Sequence, residues 1–422
     1  MWLLNTETLT LKYFNEAQLK GLSFAILSHT WGSDEILFHE VQGDRAALQD
    51  RAGWKKLTSF CKTALAYGFG HGWMDTCCID KRNSADVTEA INSAYMYYYD
   101  SGACFIHLED VHKYADEATG SSGRAEVTRD QLLARVRTTR WIRRGWTLQE
   151  FIAPKRRYFF ASDWSDIEDG DNLLDALAES TRISIDLLKD RDLLDGFCTA
   201  ERMKWASRRE TTRAEDVAYC LMGMFKVNMP VLYGEGAQNA FRRLQREIMQ
   251  FSFDMTIFVW YGDYESSGLL AQSPSDFADT PLSSLWPPWD ASAYSLTNAG
   301  LSISLNIINQ QEIGEYGCCA KSDGNILLAT LQCDVLTPEG QWEVPVIYLE
   351  PVMSANTARG RRWKTYRRIR CAERITLPPK LVEGGHYEDL VVLQDEQYEF
   401  VRRAKEKHIP SSGMASRMDL TM

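Results

Sequence analysis

A chain of 422 residues has room for two or three domains, and a 45% hydrophobic share with 13 Trp and 18 Tyr can bury a large core. A net charge of -11 speaks against a general nucleic-acid binder, whose surface must neutralise phosphates. The ten cysteines include the adjacent pairs Cys77-Cys78 and Cys318-Cys319 but no C-x-x-C, so no metal site is expected and reduced thiols in a cytoplasmic protein are.

The opening residues lack a basic stretch followed by an apolar run, so no signal peptide is expected. No segment reaches membrane-spanning length either. Residues 22–28 form a short apolar run that ends in Ser28-His29-Thr30-Trp31-Gly32. This predicts a buried strand opening into a polar loop. A helix follows, with Trp54, Leu57, Cys61, Ala64 and Leu65 at helical spacing and Gly68 as its stop. Residues 72–80 predict a second strand and loop carrying Asp75 and Asp80. The next helix is expected from Asp86, with Glu89 completing a capping box and Ile91, Ala94, Tyr95 and Tyr98 on its apolar face.

Residues 103–108 predict a third strand, ending at Glu109 and Asp110. Residues 114–126 are polar and Gly/Ser-rich, a loop, and Thr128 with Gln131 opens another helix. Arg143-Arg144-Gly145-Trp146-Thr147-Leu148-Gln149-Glu150-Phe151 then places a Trp and a Glu four residues apart, hence on one helix face. Residues 158–160 suggest one more strand. Strands alternating with helices imply a parallel sheet that binds ligands at the C-terminal ends of its strands, where Ser28, His29, Trp31, Asp75 and Asp80 collect.

Three stretches resemble the signature blocks of the fungal heterokaryon incompatibility (HET) domain. They are Ala25-Ile26-Leu27-Ser28-His29-Thr30-Trp31-Gly32, Trp73-Met74-Asp75-Thr76-Cys77-Cys78-Ile79-Asp80-Lys81 and Arg144-Gly145-Trp146-Thr147-Leu148-Gln149-Glu150. Glu89-Ala90-Ile91-Asn92-Ser93 and the Trp146–Glu150 spacing further resemble TIR domains, with Thr147 where those usually carry Cys. The resemblance implies a TIR/flavodoxin-like α/β domain, a role in non-self recognition and programmed cell death, and NAD as a substrate cleaved between nicotinamide and ribose. It also implies activation by a protein partner or by self-assembly.

The residues suit that chemistry. Nicotinamide leaves a cationic ring as a neutral molecule and needs no proton, so one carboxylate beside the oxocarbenium-like transition state suffices. Glu150 is the candidate. Trp31 or Trp73 would stack on a flat ring, with Trp146 beside them, and Arg143 or Arg144 would meet the pyrophosphate. Ser28 and Asp75 would line the ribose pocket. Against this stand plainer roles: indoles as core anchors, aspartates as loop caps, arginines as a solvated helix end. Ser28 and His29 alternate across a strand and would not act as a pair. The rival function is a non-catalytic adaptor that signals by assembly.

Residues 161–250 predict helices at 171–180, 183–189, 200–207, 213–225 and 236–250. The charged run at 205–216 reads as ion pairs among Arg208, Arg209, Glu210 and Glu215, or as a lid over the cleft. Residues 251–410 predict a β-rich domain, arranged as a sandwich, with strands at 255–261, 301–308, 325–332 and 343–350. Residues 359–374 read as a strand with an exposed basic face, and residues 411–422 as a frayed tail. The expected division is thus a HET domain over 1–160, a helical region, a β-rich domain and the tail. No repeat array appears in the sequence, so the trigger is expected from the β-rich region or another protein.

Overall fold

The computed structural model describes residues 1–114, 126–167, 170–285, 292–308, 326–352, 365–383 and 385–407. The expected loop at 114–126 lies almost wholly outside them. So do Cys318-Cys319, the first part of the basic run at 359–374, and the tail. Two compact units emerge, Met1–Phe251 with Gln272–Asp279, and Ser252–Ala271 with Thr280–Met422.

The first unit is built on a six-stranded sheet of β1 (Trp2–Asn5), β2 (Leu11–Tyr13), β3 (Ala25–His29), β4 (His71–Trp73), β5 (Ala103–His107) and β6 (Arg157–Phe160). Its order is β2-β1-β4-β3-β5-β6. The four strands from β3 to β6 run parallel, but β1 pairs antiparallel with both β2 and β4. The sheet is therefore mixed, not wholly parallel. The N-terminal hairpin was missed because its strands are only three and four residues long. Counted among themselves, the parallel strands follow the spatial order second, first, third, fourth, so the chain reverses direction beside β3. Every residue of β3 and β5 is buried, as expected of central parallel strands.

Eleven labelled helices accompany the sheet: α1 (Glu16–Leu19), α2 (Phe38–Gln42), α3 (Ala52–Ala66), α4 (Ser84–Asp100), α5 (Arg129–Thr138), α6 (Thr147–Ile152), α7 (Gly170–Thr181), α8 (Ile185–Lys189), α9 (Thr199–Ala206), α10 (Asp216–Tyr219) and α11 (Ala237–Met249). α3 buries Trp54, Leu57, Phe60, Cys61 and Ala64, while Leu65 points to solvent. It stops at Gly68 (φ +87°), where the Phe69 and Gly68 amides return to the Ala64 and Leu65 carbonyls. This left-handed double closure favours glycine. α4 begins two residues before Asp86, because the Asn83 side chain accepts the Ala85 amide and caps the helix first. Thr128 and Gln131 do form a capping box on α5.

β4 is shorter than expected. After Trp73 the chain turns at Met74, whose carbonyl takes the Cys77 and Cys78 amides, and this frees Asp75 from the sheet. The single helix expected over 213–225 is broken into α10 and a 3-10 turn, Met222–Phe225. Gly223 in that turn lies against α4, and a Cβ there would come within 2.0 Å of Tyr95 Cβ.

The second unit contains β7 (Ser266–Ser267), β8 (Ser283–Leu285), β9 (Tyr294–Thr297), β10 (Gly300–Ile308), β11 (Leu327–Thr330), β12 (Cys333–Leu336), β13 (Trp342–Pro351), β14 (Thr365–Ile369), β15 (Ile375–Leu377) and β16 (His386–Val392). The pairings β14–β16, β16–β10, β10–β11, β11–β13 and β13–β14 close on themselves. The expected sandwich is therefore a closed five-stranded barrel with appended strands. Closure removes strand edges, and Leu328, Val344, Val346, Tyr348 and Leu377 pack in one core cluster. The strand expected at 255–261 is instead a 3-10 turn, Met255–Phe258, capped by the Asp254 side chain. Arg368 is buried, not on an exposed basic face, because its guanidinium binds the Phe258 and Trp260 carbonyls at 3.0 and 2.7 Å.

A Gly223→Ala substitution must push α4 and the Met222–Phe225 turn apart. It is expected to cost about 1–3 kcal/mol. Thermal unfolding of the purified protein should show a lowered Tm, and an unchanged Tm would mean that this contact is slack.

Candidate functional site

A cleft of about 300 Å³ opens where the loops after β3 and β4 meet α4 and α6. Its lining includes Trp31, Trp73, Asp75, Arg144, Trp146 and Glu150, six of the eight residues singled out in the sequence. Ser28 stands directly behind it. Arg143 is not brought in: its side chain is exposed and its carbonyl accepts the Glu210 amide.

Glu150 reaches the cleft from α6. Trp146 already has helical backbone angles (φ -60°, ψ -35°), so the two side chains do lie one turn apart on one face. The fully buried Trp141 indole donates to Ser28 Oγ at 2.7 Å, and the Ser28 hydroxyl donates onward to Glu150 Oε2 at 2.5 Å. The Tyr98 hydroxyl donates to the Leu27 carbonyl at 3.0 Å and lies beside the Glu150 carboxyl. Burial disfavours the charged form and pushes the Glu150 pKa up to about 8; the bond from Ser28 opposes this, and the nearby Asp75 charge adds to it. Glu150 is thus mostly protonated near neutral pH in the empty cleft.

Asp75 behaves oppositely. Burial raises its pKa, but the hydrogen bond from His29, the charge of Lys81 and the bond from Trp31 outweigh this and hold it below the usual carboxylate range. His29 Nε2 lies 3.1 Å from Asp75 Oδ1, and Trp31 Nε1 donates to Oδ2 at 2.8 Å. Lys56, whose ammonium has only donors, lies 3.3 Å from His29 Nδ1. Nδ1 therefore accepts, which places the imidazole proton on Nε2, facing Asp75. Lys56 also donates to Glu35 at 2.5 Å and to the Thr30 carbonyl at 3.2 Å. The Lys81 ammonium sits 3.4 Å above the Trp31 ring and occupies one of its faces.

The charged run after α9 forms a wall of this cleft. Glu210 pairs through its backbone with the Arg143 carbonyl and the Gly145 amide, at 2.6 and 2.8 Å. Gly145 is required there, since a Cβ would lie 2.5 Å from Thr211 Cγ2. Arg209 donates to the Arg144 carbonyl at 2.9 Å and to the Thr147 hydroxyl at 3.0 Å, while Glu215 accepts the Gly234 and Gly236 amides. The ion pairs expected for Arg209 and Glu215 are thus replaced by bonds to backbone and hydroxyl groups. Thr147 also lies 2.5 Å from the Trp141 carbonyl, so its hydroxyl ties three segments together.

Sequence reasoning missed Trp141, Lys81, Arg213, Asp216 and Tyr233. Trp141 was legible only as a second indole just ahead of the Arg-Arg-Gly-Trp stretch. The others stand next to residues already noted and gave no periodic signal. Among the described residues, no group of three or more His, Cys, Asp or Glu is placed to hold a metal ion. No helix among them is long and apolar enough to cross a membrane.

The architecture defines an α/β domain with a cleft at the C-terminal ends of its parallel strands. Residues 24–150 match the family model of the heterokaryon incompatibility protein (HET), so the chain carries a HET domain in that segment. Residues 239–299 match a domain of unknown function, DUF8212. The chain is 37% identical over 227 residues to "Vegetative incompatibility protein HET-E-1" of Podospora anserina, a match covering 53% of this chain and 16% of that protein. No solved structure matches significantly.

The raised Glu150 pKa has a sign that can be tested. An unfolded Glu ionises near pH 4.5, whereas the folded one keeps its proton until about pH 8. Between these values the unfolded state has already lost the proton, so stability falls as pH rises. Glu150→Gln removes this loss. Because the carboxyl borders an open cleft, the gain over wild type should grow from near zero at pH 4.5 to about 1–3 kcal/mol at pH 8. Denaturant melts of both proteins across this range read it directly; a constant difference would place Glu150 at an ordinary pKa.

Proposed function

We propose that this chain is an effector of non-self recognition and regulated cell death in heterokaryon incompatibility, and that its cleft hydrolyses NAD at the nicotinamide–ribose bond. The HET match and the similarity to a protein named for vegetative incompatibility support the first part. The observation that carries the second is Glu150, held in a cleft by Ser28. We read the first sheet as TIR/flavodoxin-like. The spatial order of its parallel strands supports this, because a flavodoxin-type sheet has the same order and binds its ligand beside the strand where the chain reverses.

In this reading the cationic nicotinamide ring enters next to Glu150 and Asp75. Its positive charge stabilises the Glu150 carboxylate, and binding expels the proton that the empty cleft retains. The C1′–N1 bond then breaks and its electron pair leaves with neutral nicotinamide. The ionised Glu150 faces the positive charge that develops on the ribose and hydrogen-bonds its hydroxyls. Water adds its oxygen to C1′ and releases a proton, giving ADP-ribose. Ser28, itself fixed by the Trp141 indole, holds the carboxyl in place. Trp73 is pinned by Tyr97 and Tyr98 and serves as a rigid wall. Trp31 can stack on the ring by its free face, or by the other once Lys81 moves. Arg144, not Arg143, is the arginine available to the pyrophosphate. Assembly with a partner or with further copies of the chain is the proposed trigger.

The purified chain, at high concentration or under crowding, should release nicotinamide from NAD. Glu150→Ala should lower the rate by at least about 100-fold with an unchanged circular dichroism spectrum. Binding of NAD by a slowly turning-over protein should tighten with pH up to about 8 and release a proton below it. If assembled wild-type protein leaves NAD intact, the cleft is not a hydrolase and the chain acts as an adaptor.

A further inference from the structure

One end of the cleft adds Arg213, Asp216 and Tyr233, which lie beyond the matched HET segment and which the cleavage chemistry does not use, to Arg144 and Trp146. Asp216 accepts the Trp146 indole N–H on Oδ2 and the Tyr233 hydroxyl on Oδ1, each at 3.0 Å. A single carboxylate thereby fixes an indole and a phenol at the same cleft wall. The Arg213 guanidinium lies 4.0 Å from the centre of the Tyr233 ring, and Arg144 lines the same cleft. Two of the carboxylates nearby are already engaged, while that of Glu210 is exposed and lines the same cleft. Glu215 binds two amides, and Glu235 binds Arg243 and the Tyr219 hydroxyl.

Two aromatic groups with two guanidiniums offer a surface for a flat base and cationic forks for a phosphate. The end containing Asp75 differs: there a carboxylate is hydrogen-bonded by His29 and Trp31, a setting suited to a cationic ring. We infer that Trp146, Tyr233, Arg213 and Asp216 form a nucleoside-monophosphate subsite that takes the adenosine-phosphate half of the dinucleotide. The inference rests on the NAD reading above and adds the orientation of that substrate. Asp216 is a positioning residue, because both its oxygens are spent on the rings. Arg213 contacts the phosphate. Trp146 also stands one turn ahead of Glu150 on the same helix face, so a base seated against it fixes how far the ribose lies from that carboxyl.

The experiment is calorimetric titration of the full chain with AMP, nicotinamide mononucleotide and NAD, for wild type, Arg213→Gln and Asp216→Asn. Arg213 is exposed, so its variant should fold normally even if the Asp216 variant does not. Wild type is expected to bind AMP, and both variants should weaken AMP and NAD by about 10-fold while leaving the mononucleotide within about 2-fold. Where turnover is measurable, KM for NAD should rise with kcat retained. The inference is overturned if wild type does not bind AMP, if the variants bind it equally well, or if the mononucleotide weakens in parallel. AMP binding without NAD cleavage would keep the subsite and discard the hydrolase reading. NAD cleavage without AMP binding would do the reverse.

Discussion

The site depends on keeping one carboxyl buried without pairing it to a cation. A buried carboxylate alone is costly, and an adjacent arginine would have held it ionised. Among the described residues the hydrogen-bond partner of the Glu150 carboxyl is a hydroxyl group, that of Ser28. Hydroxyls can donate to a carboxylate and accept from a carboxylic acid, so they tolerate both protonation states. Trp141 cannot accept, and its indole N–H fixes the Ser28 oxygen from behind. The Ser28 proton is therefore directed at Glu150 as long as the carboxyl can take it.

The rest of the first unit makes that arrangement rigid. Ser28 sits on the fully buried β3, between β4 and β5, and cannot move without moving the sheet. α6 is only six residues long and would be marginal alone. It is held from its N-terminal side by the backbone pairing of Arg143 and Gly145 with Glu210, and by the Arg209 bonds to Arg144 and Thr147. The charged stretch after α9 is thus part of the frame that aims Glu150. This favours a fixed wall over a lid that swings freely, since opening it would expose a buried guanidinium and break bonds on which α6 relies.

How much of this was legible follows from which signals are local. The central strands, α3 with its glycine stop, and the α5 capping box were readable because apolar periodicity and cap chemistry lie within a few residues. Trp146 and Glu150 were readable as one helix face for the same reason. The antiparallel β1–β2 hairpin was not, because strands so short carry no periodic pattern. The barrel was read as a sandwich because closure is decided by which edges meet, and alternation along a strand is the same in both. The 3-10 turn at Met255–Phe258 mimicked a strand because an apolar run buried on all sides has no period to tell the two apart. Arg143 and Arg144 were indistinguishable in sequence; the distant Glu210 backbone pairs with the Arg143 carbonyl and the Gly145 amide, and in that arrangement the Arg143 side chain is exposed while Arg144 lines the cleft.

The two carboxyls of the cleft show why neighbouring residues alone do not define its chemistry. Asp75 follows a short strand and is met by an imidazole, an indole N–H and a lysine, all of which favour its charge. Glu150 projects from a helix toward hydroxyls and lies within the field of Asp75, which works against a second negative charge. Their protonation states diverge because the surroundings differ, a pattern typical of groups given separate roles in one site. A cationic ligand entering between them would meet one charge already in place and create the other. The cost of ionising Glu150 is then borne only when the ligand is bound, and the empty cleft does not have to hold two carboxylate charges side by side.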